Sequence, residues 1–235
     1  MTVFSDLIEQ ELPAFSGIVP VLELEDRVLL PHSILSLRMT AAADCQLIAD
    51  AISDNALVAV TLKQTSIDTG YEVRQAAAIG SVCLASIVAP YQLQSGDYSI
   101  LLRGICRARS VVIQESDCPY QKALLELNPD FYADQPVIHR EHRQLELLEH
   151  YARNFLDNSS DPTYYHLLHR EISLGKLCDT LADTINLQPA LSRLILEEHD
   201  VDLRSDLLLN FLKNKLREQQ CNPLGHAIST EFSQN

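Results

Sequence analysis

The sequence predicts an α+β protein in which a β-rich N-terminal unit precedes a bundle of helices. The first 130 residues hold short apolar runs separated by proline, glycine and polar turns, a pattern typical of strands. Residues 128–136 contain two prolines and no periodicity, which indicates a linker. Beyond the linker, apolar residues recur three and four positions apart, as on one face of a helix. We therefore predict a β-rich domain at residues 1–130 and a helical bundle with a frayed C-terminal tail at residues 131–235.

Short apolar runs predict four strands in the N-terminal unit, at residues 18–22, 28–30, 34–37 and 56–60. Pro20 and Pro31 fit strand edges or strand ends, because proline cannot donate a ladder hydrogen bond. A helix is predicted at residues 41–53, where apolar side chains fall at helical spacing.

Two longer strand-like runs follow, at residues 78–89 and 98–113. They flank a Ser-Gly-Asp turn centred on Gly96, which predicts a hairpin. The polar residues 64–75 before them are predicted to form a loop. Residues 118–127 are predicted to form a short helix that has a proline in its first turn.

The C-terminal unit is predicted to be a bundle of four or five helices. One helix carries the apolar series Leu145, Leu148, Ala152 and Phe155, and a later one carries Leu174, Leu177, Leu181 and Ile185. Pro189 is expected to open the next helix, and Asp200 or Asp202 to cap the last. In that last helix we expect an inward face of Leu203, Leu207, Phe211 and Leu212. We expect an outward face of Arg204, Asn210, Lys213 and Arg217.

The composition argues against several classes of function. The chain has 32 acidic and 18 basic residues, and its formal charge is −14. This charge repels phosphate backbones and anionic membranes, so we expect neither nucleic acid nor membrane as a partner. No apolar run approaches the roughly 18–20 residues that span a bilayer, and the acidic N-terminus does not resemble a signal peptide. These features predict a cytoplasmic protein, whose six scattered cysteines are expected to be free thiols.

The sequence contains no recognisable catalytic or cofactor motif. Its seven glycines form neither a P-loop nor a dinucleotide-binding turn, and there is no G-x-S-x-G or H-E-x-x-H segment. Acidic pairs such as Glu146 with Glu149 are typical of solvated helix faces. We therefore expect no enzyme activity, no catalytic residue and no cofactor.

Two histidine pairs have the spacing of metal ligands on one helix face. His139 lies three residues before His142, and His166 lies three residues before His169. No set of cysteines or carboxylates completes a coordination shell by spacing. We interpret both pairs as solvated or capping residues, and a metal site is the alternative.

The stretch L-L-R-G-I-C-R-A-R-S, at residues 101–110, places three arginines in a predicted strand of an acidic protein. Strand alternation puts Leu101, Arg103, Ile105, Arg107 and Arg109 on one face and small residues on the other. A bulge at Gly104 would shift the faces after it. The favoured interpretation is that Arg103 and Arg107 bind nearby carboxylates of the fold. The alternative is a site for an anionic ligand or nucleic acid, although the stacking aromatics of such a site are sparse here.

Several of these segments, taken in order, resemble the N-terminal domain of Lon proteases. The run I-V-P-V-L-E-L-E-D-R-V-L-L-P, at residues 18–31, resembles the opening of that domain. The run L-R-G-I-C-R, at residues 102–107, resembles its aliphatic-x-G-x-x-R signature. Residues 174–212 are similar to the helices that follow the β domain in full-length Lon. The chain departs from the family's pattern at His32, where glycine is usual, and at Ser36, where proline is common.

The resemblance implies a PUA-like pseudo-barrel followed by a helical bundle. It further implies a stand-alone Lon substrate-binding domain without the ATPase and peptidase domains. Such a chain would be a non-catalytic polypeptide-binding or adaptor module, and the alternative is an RNA-binding PUA-like protein. Its expected partners are unfolded or damaged polypeptides, with Lon or another protease as a further candidate. Binding is expected at apolar surface around residues 28–37 and in the groove between barrel and bundle, with no individual side chain assigned.

Overall fold

The computed structural model describes residues 15–63, 80–114, 117–156 and 172–221, together with Leu167. Within these residues the chain forms seven strands and five helices. The strands are β1 Ile18–Leu24, β2 Ile34–Met39, β3 Leu57–Leu62, β4 Ser81–Ile87, β5 Tyr91–Gln92, β6 Tyr98–Gln114 and β7 Lys122–Leu127. The helices are α1 Ala42–Asp54, α2 Arg140–Phe155, α3 Leu174–Thr184, α4 Pro189–Glu197 and α5 Val201–Cys221. This content confirms the predicted α+β class.

Five strands close into a small barrel in the order β6–β4–β3–β1–β7, and β7 pairs back onto β6. Strands β1 and β3 are parallel, and the other neighbours in the ring are antiparallel. Strands β2 and β5 pair with β6 outside the ring. The buried side chains of the barrel interior include Val19, Val21, Leu57, Leu84, Ala108 and Leu125. This closed ring is the predicted pseudo-barrel.

A second, larger core lies between the barrel and the helices. It includes Leu22 and Leu102 from the strands, and Leu147, Leu181 and Leu208 from three of the helices. Burial of this apolar surface from water holds the strands and helices together. The domain boundary at residue 130 stays a prediction.

The predicted strand at residues 28–30 is wrong. The segment is irregular, although Leu29 and Leu30 are buried as strand residues would be. Its continuation hydrogen-bonds to β6 instead. The backbone N–H of His32 donates to the carbonyl of Gly104 at 2.9 Å, and the N–H of Gly104 donates to the carbonyl of Ser33 at 2.9 Å. Residues 28–33, called here the 28–33 loop, are therefore docked on the sheet.

The predicted helix at residues 118–127 is wrong as well, because Lys122–Leu127 forms β7. Ala123 and Leu125 point into the barrel interior, which is the alternation of a strand. Strand β7 pairs with both β1 and β6 and so closes the ring. A short apolar run does not distinguish strand from helix on its own, and these two pairings decide the matter.

The last helix begins as predicted, but its buried face differs from the predicted one. The Asp200 carboxylate accepts hydrogen bonds from the backbone N–H groups of Asp202 and Leu203, at 2.9 and 3.3 Å, and caps α5. Arg204, expected outward, is fully buried, and Leu203, expected inward, is 54% exposed. Leu145 of α2, which belongs to a predicted apolar series, is 60% exposed. The spacing of apolar residues assigned Arg204 to the wrong face of the helix, because its guanidinium group is neutralised inside the protein.

The other strands and helices predicted from the sequence are confirmed where the structure describes them. They include the hairpin of β4 and β6 and the start of α4 at Pro189. The predicted loop at residues 64–75 and the tail after residue 221 lie outside the described residues. None of the described helices is long and apolar enough to cross a membrane.

Candidate functional site

Strand β6 carries the arginines of the 101–110 stretch and contains a bulge between the first two. Consecutive residues of β4 pair with Gly104 and with Cys106, so Ile105 is an extra residue in the ladder. Both Ile105 and Cys106 therefore pack against the barrel interior. The bulge predicted near Gly104 is confirmed, and it turns Arg107 to the opposite face from Arg103. The prediction that these two arginines share a face is wrong.

Arg107 belongs to a buried cluster of four charged side chains, called here the junction cluster: Arg107, Asp130, Asp179 and Arg204. Two nitrogens of Arg107 donate to the two oxygens of Asp179 at 2.8 and 2.6 Å, and one of them also donates to Asp130 at 3.2 Å. Arg204 donates to Asp130 at 2.7 Å, and its Nε lies 3.6 Å from an Asp179 oxygen. Two positive and two negative charges cancel, which makes their burial tolerable.

The junction cluster connects four separate parts of the chain. Strand β6 supplies Arg107, the linker supplies Asp130, α3 supplies Asp179 and α5 supplies Arg204. Gly175 lets α3 approach the cluster, since a Cβ at that position would lie 2.1 Å from an Asp130 oxygen. The predicted pairing of Arg107 with carboxylates is confirmed. Because its side chain is only 2% exposed, Arg107 is not available to an external anion.

Cys45, Cys83, Cys106, Cys118 and Cys178 are free thiols, in agreement with the prediction for these five of the six cysteines. Cys178 is fully buried near the junction cluster. Burial raises the pKa of the Cys178 thiol to about 12, and the surrounding charges modify this only secondarily. The thiol is therefore neutral at physiological pH and adds no charge to the cluster.

Four exposed apolar side chains lie together on the outer surface of the sheet, and we call them the outer patch: Ile34, Val88, Tyr91 and Leu101. Their exposed fractions are 63%, 47%, 67% and 36%. Across the ladders of β6, Ser36 pairs with Leu101 and Tyr91 pairs with Ser99. The backbone N–H of Val88 donates to the carbonyl of Leu101 at 2.9 Å. Paired residues, and residues two apart on a strand, share a face, so the four side chains face the same side.

A groove lies between the 28–33 loop and the turn that joins α3 to α4, and we call it the junction groove. Its barrel side is lined by Arg27, Val28, Leu29, Leu30 and Leu35. Its bundle side is lined by Ala182, Asp183, Asn186, Leu187 and Ser192. The cavity volume is about 60 Å³. Small-molecule sites have about 300–1,000 Å³, so this groove suits the end of one side chain rather than a cofactor.

Strand β2 lies between the outer patch and the junction groove. Ile34 is exposed on the outer patch, whereas the next residue, Leu35, is half-buried and lines the groove. Successive strand residues face opposite sides, so one strand presents apolar side chains to both surfaces. Among the described residues β2 pairs only with β6, which makes it an edge strand. The junction groove and Ile34 lie where the sequence predicts apolar binding surface, whereas Val88, Tyr91 and Leu101 lie outside the predicted region.

His32, at the end of the 28–33 loop, has a backbone φ of +67°. This is the left-handed region, which glycine adopts without the steric cost of a Cβ. The sequence has histidine at this position, where the family that it resembles usually has glycine. This departure therefore falls on a strained backbone position.

The substitution His32→Gly is expected to raise the free energy of unfolding by about 0.5–1 kcal/mol, because it removes the left-handed strain. Urea denaturation followed by far-UV circular dichroism measures the change. His32→Ala keeps the Cβ and serves as the control, with no expected gain. A loss of stability in His32→Gly would show that contacts of the imidazole outweigh the strain.

Of the two histidine pairs, only His139 and His142 lie in the described residues. His139 occupies the N-cap position of α2 without a side-chain cap hydrogen bond, and His142 is exposed. Across the described ranges, no three His, Cys, Asp or Glu side chains group closely enough to hold a metal ion. His166 and His169 lie outside those ranges, and the solvated interpretation stays a prediction.

Sequence reasoning missed several residues of these surfaces. Val88 lies at the end of the predicted strand 78–89 and Tyr91 in the turn segment after it, and only their register beside β6 brings them next to Leu101. Asp183 reads as one acid among many on a helix, and only the packing of α3 places it at the groove. Periodicity contains no signal for either placement.

The fold is a closed barrel joined to a helical bundle, with two apolar surfaces on its edge strand. The chain belongs to the family of ATP-dependent protease La (LON) substrate-binding domains, whose model matches residues 18–214. This confirms the resemblance drawn from the sequence. Whether the domain stands alone, without ATPase and peptidase segments, stays a prediction.

Solved structures support the same fold. The N-terminal domain of a Mycobacterium avium complex Lon protease is similar with a TM-score of 0.66 and 17% identity, covering 84% of this chain and 98% of that one. A Lon N-terminal domain protein from Xanthomonas campestris has a TM-score of 0.59 and 19% identity, covering 83% and 98%.

The curated relatives that the chain matches carry the name Lon protease. Lon protease 2 of Myxococcus xanthus is 25% identical and Lon protease of Roseiflexus castenholzii is 27% identical, over 92% and 96% of this chain. The chain spans about a quarter of their length, 26% and 27% respectively.

Proposed function

We propose that this chain binds unfolded polypeptide segments as a recognition module without catalytic activity of its own. The observation that carries the proposal is the meeting of the outer patch and the junction groove along β2. Contiguous exposed apolar side chains are characteristic of interaction surfaces. The description of the family as a protease substrate-binding domain supports a polypeptide as the ligand.

The shape of the surface favours an extended chain over a compact ligand. The junction groove is small, and the outer patch is an open sheet surface whose most exposed members are Ile34 and Tyr91. An unfolded segment exposes successive apolar side chains that would be buried in its folded state. Such a segment can place one side chain on the outer patch and another in the junction groove.

The double substitution Ile34→Ser with Leu101→Ser is expected to weaken binding of an unfolded polypeptide by about tenfold or more, because it removes two apolar side chains from the contact. Fluorescence anisotropy with labelled, reduced and carboxymethylated α-lactalbumin measures the affinity. Stability is expected to change little, since both side chains are exposed.

The matched control is Val137→Ser with Leu203→Ser, which removes exposed apolar side chains of similar size outside both surfaces. This control is expected to bind like the wild type. Absence of binding by the wild type at high micromolar concentration, both to unfolded polypeptide and to a Lon protease, would overturn the proposed function. Casein turnover by a highly purified sample would contradict the non-catalytic part alone.

A further inference from the structure

The junction groove has an acidic rim. Asp183 lines it from the last turn of α3, a turn that contains no basic residue. No ion pair in the described part of the chain involves Asp183. Burial in the groove raises the pKa of its carboxyl group, and the nearby Ser33 hydroxyl offsets only part of that effect. Although the residue as a whole is exposed, its carboxylate is partly desolvated, and no cation in the described ranges pairs with it.

The other charged residue of the groove lining, Arg27, is already paired, since its Nε lies 3.2 Å from an Asp26 oxygen. Asp26 balances Arg27, so the Asp183 carboxylate gives the lining its net negative charge. The C-terminal end of α3 adds the negative end of a helix dipole at the same place. The formal charge of −14 further favours the approach of cationic segments.

We propose that the junction groove selects polypeptide segments in which an apolar side chain lies beside a lysine or arginine. The apolar side chain rests against Val28 and Leu35, and the cationic group pairs with Asp183. This inference rests on the proposed function and names the class of segment that the site prefers. The cavity volume of about 60 Å³ matches a single side-chain end, with the charge recognised at the rim.

The test uses three labelled peptides that share one apolar sequence and are flanked by lysine, by glutamine or by glutamate. Fluorescence anisotropy measures their affinity at about 150 mM salt, where the Debye length is about 8 Å. The wild type is expected to bind the lysine-flanked peptide about threefold to tenfold more tightly than the glutamine-flanked one. Asp183→Asn is expected to remove most of that preference and to leave affinity for the glutamine-flanked peptide unchanged. Arg27→Gln is expected to keep or enlarge the preference, because Asp26 is then unpaired.

The matched control is Asp54→Asn, which removes one carboxylate from the end of α1, away from the groove. It is expected to bind all three peptides like the wild type. Equal affinity of the wild type for the three peptides would overturn the inference and leave polypeptide binding intact. Equal losses in Asp54→Asn and Asp183→Asn would also overturn it, by showing that overall charge alone sets the preference. Failure of every peptide to bind would contradict the proposed function itself.

Discussion

Arg107→Ala is expected to lower the free energy of unfolding by about 3–5 kcal/mol, the usual cost of breaking a buried ion pair by removing one partner. Asp179 is fully buried and receives two hydrogen bonds from Arg107. Without them its nearest cationic nitrogen is Nε of Arg204, at 3.6 Å, which is beyond hydrogen-bond distance. The Ile195 carbonyl also loses the donor that lies 3.0 Å away.

Urea denaturation measures this loss, and two further variants locate its cause. Arg109→Ala removes an exposed arginine of the same strand, and its stability is expected to stay within about 0.5 kcal/mol of the wild type. Arg107→Lys keeps the charge but loses the two-pronged contact, so an intermediate loss is expected. Affinity of folded Arg107→Lys for unfolded polypeptide is expected to stay unchanged. Wild-type stability in Arg107→Ala, or a selective loss of binding, would show that Arg107 serves a ligand instead.

The order of strands and helices was predictable because it depends on local pattern. The hairpin of β4 and β6 and the proline at the start of α4 are both encoded within a few residues. Strand β7 was not predictable from local pattern, because its six residues fit a helix or a strand until β1 and β6 are placed beside it.

The junction cluster shows a different limit of sequence reasoning. Arg107 and Arg204 lie in separate halves of the chain, and both are neutralised by the same two carboxylates, Asp130 of the linker and Asp179 of α3. A lone arginine in an amphipathic helix reads as solvated, so Arg204 was placed on the wrong face. The bulge at Ile105 could be suspected from the neighbouring glycine, but its consequence for Arg107 required the position of α3.

The surfaces could be located only coarsely from the sequence. The run at residues 28–37 is apolar enough to suggest binding, yet all its apolar side chains except Ile34 are buried or half-buried. What stays exposed is Ile34, and its neighbours come from β6 and from the segment after β4. A surface assembled by strand register in this way has no continuous signature in the chain.

Gly104→Ala is expected to lower the free energy of unfolding by about 2–3 kcal/mol, as overpacking of a close contact does. A Cβ at this position would lie 2.2 Å from the Leu30 carbonyl oxygen and 3.1 Å from the Cys83 sulfur. The first neighbour is backbone and cannot rotate away, so the 28–33 loop must shift. That shift would weaken the hydrogen bonds that join Gly104 to His32 and Ser33.

The same substitution is expected to weaken binding of unfolded polypeptide, because the 28–33 loop forms one wall of the junction groove. Gly80→Ala is the matched control: its Cβ would meet no atom within 4 Å, and its φ of +85° carries only backbone strain. Urea denaturation and anisotropy are expected to show a smaller stability loss and unaltered binding for Gly80→Ala. Equal stability losses in the two variants would mean that the close approach of the loop to Gly104 does not contribute to the loss of stability. Reduced binding in Gly104→Ala alone would link the docked loop to recognition.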